Sequence, residues 1–264
     1  MSIILNEYDW AEKMLKDHDL GRRPVETLGR ISRYYYANQY SKNEIRRLLE
    51  LFMLQCDPSV SLVQWSDTLD KLAKNAGKYP LIQLDGVDIT EGELKKIEAL
   101  DGKQLRRLAF VLLCVAKYWD AVSDKNNHWV NSSDKDIMQM ANINTSIQRQ
   151  SLMFAELRNA GFIRFSKKID NLNVQVCFME SGKTGMHIQD FRNLGYQYMK
   201  HYGGQYFECV NCGLTVKMQE PAKGRPQKYC PNCAVELHTR QIVNSVMRRR
   251  QTLKNESVYK KYIC

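Results

Sequence analysis

Four cysteines in the last quarter of the chain have the spacing of a metal site. Cys209 and Cys212 form one Cys-x-x-Cys pair, residues 213–229 follow, and Cys230 and Cys233 form a second pair. Each pair makes a tight turn that directs two sulfurs to one point, and two pairs complete the tetrahedral four-thiolate shell that Zn²⁺ accepts. Because this shell has no open position for water or substrate, we predict one structural zinc ion.

Two disulfides, a redox-active pair or an iron–sulfur cluster could also use these thiols. Disulfides suit a secreted protein, but the first residues lack the basic, apolar and cleavage regions of a signal peptide. A redox pair normally lies alone beside a βαβ unit, and iron–sulfur ligands usually have other spacings. Cys56, Cys114 and Cys177 lie in apolar runs and are expected in the core as small apolar residues.

Length and composition predict a cytoplasmic protein of two or three folded units. The chain has 264 residues, of which 44% are hydrophobic, and this is enough for a substantial core. Eight cysteines without a signal peptide favour a reducing compartment. The longest apolar run, Leu108 to Ala116, is shorter than the roughly 20 residues that span a bilayer, so we expect no membrane association.

Positive charge is concentrated at the carboxyl-terminal end. The net charge is +10; residues 1–100 carry 14 Lys and Arg against 16 Asp and Glu, whereas residues 181–264 carry 14 against 5. A surface that binds phosphates needs such a local excess of positive charge. A basic tail that only keeps the protein in solution would have the same composition.

Periodicity predicts a mainly α protein with small β elements, and residues 1–100 are predicted to form a helical N-terminal domain. Two of its helices begin at capping boxes, which are Ser41 with Glu44 and Thr90 with Glu93. Residues 81–89 alternate in polarity around an Asp-Gly pair, which predicts a small hairpin.

Four arginines between residues 22 and 33 of this domain precede four tyrosines between residues 34 and 40. Basic residues beside aromatic ones can hold a nucleic-acid backbone and stack bases. The same residues are also typical of a helix–helix contact with arginines at its solvated edge. The sequence leaves both interpretations open.

Residues 101–180 are predicted to form a winged helix-turn-helix domain. In order along the chain, the predicted elements are a buried helix over 105–119, a short strand at Trp129-Val130, a helix ending near Ala141, a turn at 142–144, a helix begun by Thr145 and ending at Asn159, and strands over 162–165 and 174–178. This is the order of elements in a winged helix.

In such a domain the second helix of the pair enters the DNA major groove, and its first turns contact base edges. The candidate base-reading residues are Asn144, Thr145, Gln148 and Arg149, and the candidate phosphate contacts at the tip of the wing are Lys167 and Lys168. Three consecutive apolar residues, 152–154, indicate an alternative, since a winged helix can also dimerise or dock on another protein.

Residues 181–204 are predicted to be a connector, and residues 205–264 a zinc-binding unit with a basic C-terminal helix. The first cysteine pair lies between two short strands, and the second leads into a helix predicted over 235–250. This arrangement resembles the treble-clef type of zinc finger.

Basic residues surround the second cysteine pair and follow it. Arg225 and Lys228 flank the pair, and Arg248, Arg249 and Arg250 lie near the end of the predicted helix. They could bind phosphates without sequence preference, with affinity that falls as salt rises. Alternatively, the arginines are a solvated helix end whose charge offsets the helix macrodipole.

Four short segments occur in a recurring arrangement: Gly102-Lys103-Gln104-Leu105, Trp129-Val130-Asn131, residues 190–195, and Gln227-Lys228-Tyr229-Cys230 with its Cys-x-x-Cys. Through them the chain from Val87 onward resembles uncharacterised bacterial prophage and mobile-element proteins with a winged helix and a C-terminal four-cysteine zinc finger. The resemblance implies no particular activity. The winged-helix part is also loosely similar, in fold, to plasmid and phage replication-initiator domains.

These patterns predict a zinc-containing protein that binds nucleic acid, preferably duplex DNA, as a phage replication or regulatory factor. The alternative is an inhibitor or adaptor that docks on a host protein through the winged helix. A homodimer is compatible with either function. We expect no enzyme activity, because no phosphate-binding glycine loop, metalloprotease helix or nucleophile–base pair is recognisable.

Overall fold

The first four helices pack around a core of their own. In this computed structural model, residues 3–123, 125–167, 173–219 and 226–262 are described, with side chains of the last helix up to residue 249. The four helices are α1 (Glu7–Asp17), α2 (Pro24–Ala37), α3 (Lys42–Cys56) and α4 (Leu62–Asn75). Their buried residues include Leu28, Ile31, Leu49, Phe52 and Leu69. The predicted capping box of Ser41 and Glu44 begins α3.

The arginines and tyrosines of α2 make contacts between helices. Arg30 and Arg33 donate to one carboxylate oxygen of Glu7 on α1, at 3.1 and 2.6 Å. The ring of Tyr34 lies against Tyr8 of α1, with centroids 4.9 Å apart. These contacts support the helix–helix interpretation of the pattern, because the side chains are already engaged within the protein.

A second, larger core contains the middle of the chain and Leu5. Its elements are β1 (Val87–Thr90), α5 (Glu91–Glu98), α6 (Lys103–Val122), β2 (Trp129–Val130), α7 (Asp134–Met140), α8 (Ile147–Asn159), β3 (Ile163–Phe165), β4 (Val174–Val176), β5 (Thr184–Ile188) and α9 (Leu194–His201). Helix α6 lies at its centre, and nine consecutive residues, Leu108–Ala116, are buried. The predicted buried helix is therefore confirmed.

The hairpin predicted over 81–89 is wrong. Strand β1 pairs in antiparallel fashion with β5, Val87 opposite Ile188, about 100 residues away along the chain. Residues 82–84 instead exchange backbone hydrogen bonds with residues 5–7. The Asp-Gly pair thus joins two segments with different partners, and long-range pairing overrides the local turn signal.

The predicted connector, 181–204, contains parts of this second core. It includes β5 and α9, and buried Phe191, Leu194 and Tyr198 pack among the residues of the core. The buried cores therefore divide the chain differently from the predicted boundaries. One core is formed within residues 11–76, another within residues 87–198 together with Leu5, and a third around the four cysteines.

Helix α8 begins one residue later than predicted. Ser146, not Thr145, is its N-cap, and the Ser146 hydroxyl accepts from the amide of Arg149. The extra residue extends the turn after α7, where Asn142 has a left-handed φ of 55°. Strands β2, β4 and β3 form an antiparallel sheet in that order next to α8.

The last unit consists of a short hairpin and a long helix. Strands β6 (Tyr206–Glu208) and β7 (Thr215–Lys217) pair in antiparallel fashion, and α10 runs over Pro231–Tyr262, well beyond the predicted 235–250. The class of a mainly helical protein with small antiparallel sheets and a four-cysteine cluster is thus confirmed. None of the helices in the described ranges is long and apolar enough to cross a membrane.

The buried carboxylate of Glu93 stabilises the joint between β1, α5 and α6. Its oxygens accept from the amides of Thr90 (2.8 Å) and Glu180 (3.1 Å) and form an ion pair with Lys117 (2.8 Å), and the side chain is fully buried. The amide of Glu93 binds the Thr90 hydroxyl, which completes the predicted capping box.

Glu93→Gln should lower the free energy of unfolding by about 3 kcal/mol, because it leaves the half-buried Lys117 ammonium without its counter-charge. Urea unfolding measures the change. Lys183→Ala is the control: it breaks the exposed Lys183–Glu91 pair and should lower the free energy of unfolding far less, because water screens exposed charges. If both variants lost the same free energy of unfolding, burial would not explain the contribution of the Glu93–Lys117 pair.

Candidate metal centre and basic surfaces

The four predicted cysteines lie together. Their sulfurs are all within 4.8 Å of one another, and those of Cys212 and Cys230 are 3.8 Å apart. In a tetrahedral four-thiolate site with metal–sulfur bonds of about 2.3 Å, neighbouring sulfurs are about 3.8 Å apart. The cluster therefore fits a single metal ion.

The backbone around each cysteine pair explains this convergence. After β6 the chain turns back at Gly213, which has a φ of 71° and donates its amide to the carbonyl of Cys209 at 2.8 Å. This left-handed conformation favours glycine, and it directs both sulfurs of the pair to the same side. The second pair starts α10, with Cys230 just before Pro231 and Cys233 in the first turn.

Hydrogen bonds to sulfur and burial support a metal-binding role. The side-chain amide of Asn211 donates to the sulfur of Cys233 at 3.3 Å, and the Cys233 amide donates to the sulfur of Cys230 at 3.5 Å. Cys209 and Cys230 are each 2% exposed, and Phe207, Leu214 and Val216 pack against the cluster. Such N–H donors stabilise thiolate charge in a dry environment.

Electrostatics within the cluster favour a bound cation. Burial opposes ionisation of Cys209, but backbone amides of Cys230, Cys212 and Asn211 donate to its sulfur and lower its pKa to about 6. By contrast, burial and the neighbouring thiols raise the pKa of Cys212 to about 12. Four thiolates at this separation repel one another, so full ionisation requires a compensating positive charge.

The cysteine unit is joined to the second core by a chain of hydrogen bonds. Asn193, which has a φ of 51°, donates its side-chain amide to the carbonyl of Thr215 on β7 and accepts from the side chain of Asn142, both at 2.9 Å. Arg192 donates to the carbonyl of Cys212 at 2.7 Å. The four-cysteine cluster is therefore connected to the turn between α7 and α8.

Close packing strengthens this contact. A Cβ atom at Gly195 would lie 2.1 Å from the carbonyl oxygen of Ala141, a distance that real atoms do not adopt. Only glycine lets the first turn of α9 approach the end of α7 this closely. Sequence reasoning missed Asn142, Arg192, Asn193 and Gly195, although residues 190–195 were noted as a segment of the family resemblance.

The structure places the candidate base-reading residues at the start of α8. Asn144, Gln148 and Arg149 are exposed and Thr145 is half-buried. Arg149 donates to Glu156, two turns along the helix, at 2.8 Å. Contact with a base would therefore require Arg149 to exchange this carboxylate for a guanine edge.

Further exposed cations follow along this surface. Lys167, after β3, is exposed, whereas Lys168 lies outside the described residues. Arg158 of α8 stands over the ring of Phe165 at 5.7 Å, and Arg164 is exposed on β3 beside buried Ile163. Arg158 and Arg164 were not singled out from the sequence; the alternation of polarity in β3 was the signal for Arg164.

Lys228 and the described arginines near the far end of α10 lie in separate places. Lys228 is exposed, and its carbonyl accepts from the amide of Val210 in the first cysteine turn. Arg248 and Arg249 are exposed on α10, roughly 22 Å along the helix from Cys233. Arg225 and the side chain of Arg250 lie outside what the structure describes.

The cysteines expected in the core differ in environment. Cys114 is buried in α6 and Cys56 is half-buried, but Cys177 is exposed after β4. The expectation for Cys177 is therefore wrong, because the last residues of the apolar run emerge from the sheet.

Comparison of the chain with protein-family models, with curated proteins and with solved structures finds no match. The site's geometry therefore carries the functional argument.

Cys230→Ser should lose the metal, because a closed four-ligand site does not hold its ion with one thiolate removed. Elemental analysis of reduced protein measures the metal-to-protein ratio, and limited proteolysis should show faster cleavage in residues 205–262. Cys177→Ser is the matched control and should keep both properties, since that thiol lies outside the cluster. Full metal content in the Cys230 variant would contradict the assignment.

Proposed function

We propose that this protein binds zinc and duplex DNA, and that residues 103–176 act as a winged helix-turn-helix. The observation that carries the proposal is the order α6, β2, α7, α8, β3, β4 with a β2-β4-β3 sheet. In winged helices the second helix of the helix-turn-helix pair is presented to the major groove. Here that helix is α8, whose first turns expose Gln148 and Arg149.

The proposed metal is zinc, held by Cys209, Cys212, Cys230 and Cys233 in a treble-clef-like unit. Thiolates are soft ligands, and a closed tetrahedral set at this spacing is typical of structural zinc. The metal would hold β6, β7 and the start of α10 together. Through Asn193 it would also support the turn before α8.

In this proposal two surfaces have different roles. Gln148 pairs with adenine and Arg149 with guanine, as their bidentate side chains allow, and Asn144 and Thr145 lie beside them. Lys167 and Lys168 contact phosphates from the wing. In the cysteine unit Arg225, Lys228, Arg248, Arg249 and Arg250 bind phosphates without reading sequence.

The biological setting that the family resemblance implies is a phage or mobile element, in which the protein acts in replication or regulation. We propose binding rather than catalysis.

Dimerisation is part of the proposal, and the support for it is an apolar face on α10, where Ile242, Val243, Val246 and Met247 are all exposed. A lone helix with such a face gains free energy by pairing.

Glu156→Ala should strengthen DNA binding several-fold, because it removes a negative charge and releases Arg149 for the DNA. Arg149→Ala should weaken binding and reduce the slope of log affinity against log salt by about 1. Electrophoretic shifts on duplex DNA over a range of salt concentrations measure both effects.

Arg47→Ala provides the control for this experiment, since Arg47 lies exposed on α3, one of the four N-terminal helices. It should leave DNA affinity nearly unchanged. Unchanged affinity in both the Glu156 and the Arg149 variants, or no binding of the unaltered protein at low salt, would exclude α8 as the reading helix.

A second candidate function is docking on a host protein, as an inhibitor or adaptor. The observation that favours it is the exposure of two large apolar residues on α8: Ile147 is 80% exposed and Leu152 55%. Ile147 and Leu152 differ from Met153 and Phe154, which are buried in the core. The predicted apolar run 152–154 is therefore only partly available to a partner.

If this second function is correct, replacing Ile147 and Leu152 together by serine should abolish nuclease-resistant co-purification with a host protein. DNA affinity should change little, because neither side chain offers a hydrogen bond to a base. If this double variant instead loses DNA binding but still co-purifies with a host protein, the result favours the first proposal.

A further inference from the structure

A cavity of about 630 Å³ lies where the three cores of the protein meet. Trp10 and Met14 of α1, residues 21–23, and the first turns of α2 line one side. Asp136, Gln139 and Met140 of α7, residues 191–193 and Leu214 of the cysteine unit line the other. Its volume is within the usual range of about 300–1,000 Å³ for small-molecule sites.

The polar part of this wall is rich in arginine. Its cations are Arg22, Arg23, Arg30 and Arg192, and its carboxylates are Glu26 and Asp136. Guanidinium groups match phosphate in shape and charge, and they bind it through paired hydrogen bonds. Glu7 and Asp190, just behind the wall, neutralise Arg30 and Arg192, and Glu26 pairs with Arg23, so the positive charge available to an anionic ligand comes mainly from Arg22.

The arginines differ in how firmly they are held. Arg30 is 8% exposed and donates to Glu7, and Arg192 donates to Asp190 at 2.7 Å. Arg23 pairs with Glu26 at 3.1 Å but is 57% exposed. Arg22 is exposed, and within the described part of the chain it has no ion-pair partner. A ligand could therefore bind Arg22 without breaking an ion pair between described residues.

The same cavity has surfaces for a flat aromatic group. The Arg30 guanidinium stands over the Trp10 ring, 5.3 Å from its centroid, and Met14 lines the wall nearby. Indole rings and guanidinium planes both stack on nucleobases. The Asp136 carboxylate already accepts from the Ser133 hydroxyl at 2.8 Å, and a carboxylate of this kind can also accept from ribose hydroxyls. The Gln139 amide can bind a base edge.

From this juxtaposition we infer that the cavity binds a nucleoside phosphate. The phosphate contacts Arg22 and Arg23 beside the start of α2, and the base lies against Trp10 and Arg30. This site is separate from the proposed DNA surface on α8, so the inference does not depend on DNA binding. Because residues from all three cores line the cavity, a bound nucleotide would contact all three and stabilise their packing.

Calorimetric titration of the full-length, metal-loaded protein tests this inference. The probes are adenosine 5′-monophosphate and guanosine 5′-monophosphate, compared with adenosine and with inorganic phosphate. At least one monophosphate should bind about tenfold more tightly than either fragment, because it uses both walls of the cavity. It should also raise the unfolding temperature, since it binds only the folded state.

Two variants locate the binding. Arg22→Ala should weaken binding of the monophosphate about tenfold, because it removes a charge-assisted contact, whereas Arg47→Ala on α3 should leave it unchanged. Trp10→Phe should reduce the quenching of tryptophan fluorescence by the nucleotide. Circular dichroism confirms that each variant is folded.

Three results would overturn the inference. The first is no heat of binding and no thermal stabilisation with either monophosphate at millimolar concentration. The second is inorganic phosphate binding as tightly as the monophosphates, which would reduce the site to a phosphate site. The third is equal affinity in the Arg22 and Arg47 variants, which would place binding elsewhere.

Discussion

The burial of α6 on every side is the constraint on which the rest of the structure depends. Nine consecutive buried residues leave the middle of this helix no solvated face, so other elements must cover it in all directions. The β1–β5 pair, α5, α7, α8 and α9 all pack on it or beside it. At about 25 cal/mol per Å² of apolar surface, such burial exceeds the contribution of the individual polar contacts around it.

That constraint explains why the cysteine unit packs against the second core. Helix α9 covers one side of α6, with the rings of Tyr198 and Phe110 5.1 Å apart. The same helix contacts β6 and β7 on its other side. Asn193 precedes α9 and joins Thr215 to the turn after α7. The positions of the four sulfurs and the shape of the α7–α8 turn are thus linked through one helix.

Local signals in the sequence predicted local structure well. The capping boxes at Ser41 and Thr90 and the buried α6 are confirmed, because each depends on residues within one or two turns. The four-cysteine cluster was also predictable, since each pair needs only a tight turn and the two pairs need only to meet. The length of α10 was underestimated, because no breaker marks its end.

Contacts between residues far apart in the chain could not be predicted from the sequence. Strand β1 has a partner about 100 residues away, and nothing within residues 81–89 distinguishes that pairing from a hairpin. The importance of Asn193 and Gly195 likewise depends on Ala141, Asn142 and Thr215, which are distant in the chain. The arginine-lined cavity is assembled from three cores, so no periodicity or spacing could indicate it.

The length of α10 has a consequence for the reach of the molecule. Its 32 residues make a rod of about 48 Å at 1.5 Å per residue, longer than one turn of B-DNA at about 34 Å. From Pro231 to Arg249 only Cys233 is buried, so the rod stands away from the body of the protein. Any polyanion or second chain that contacts its far end would bind at a distance from the four cysteines, and shortening α10 would reduce this distance without changing the positions of the sulfurs.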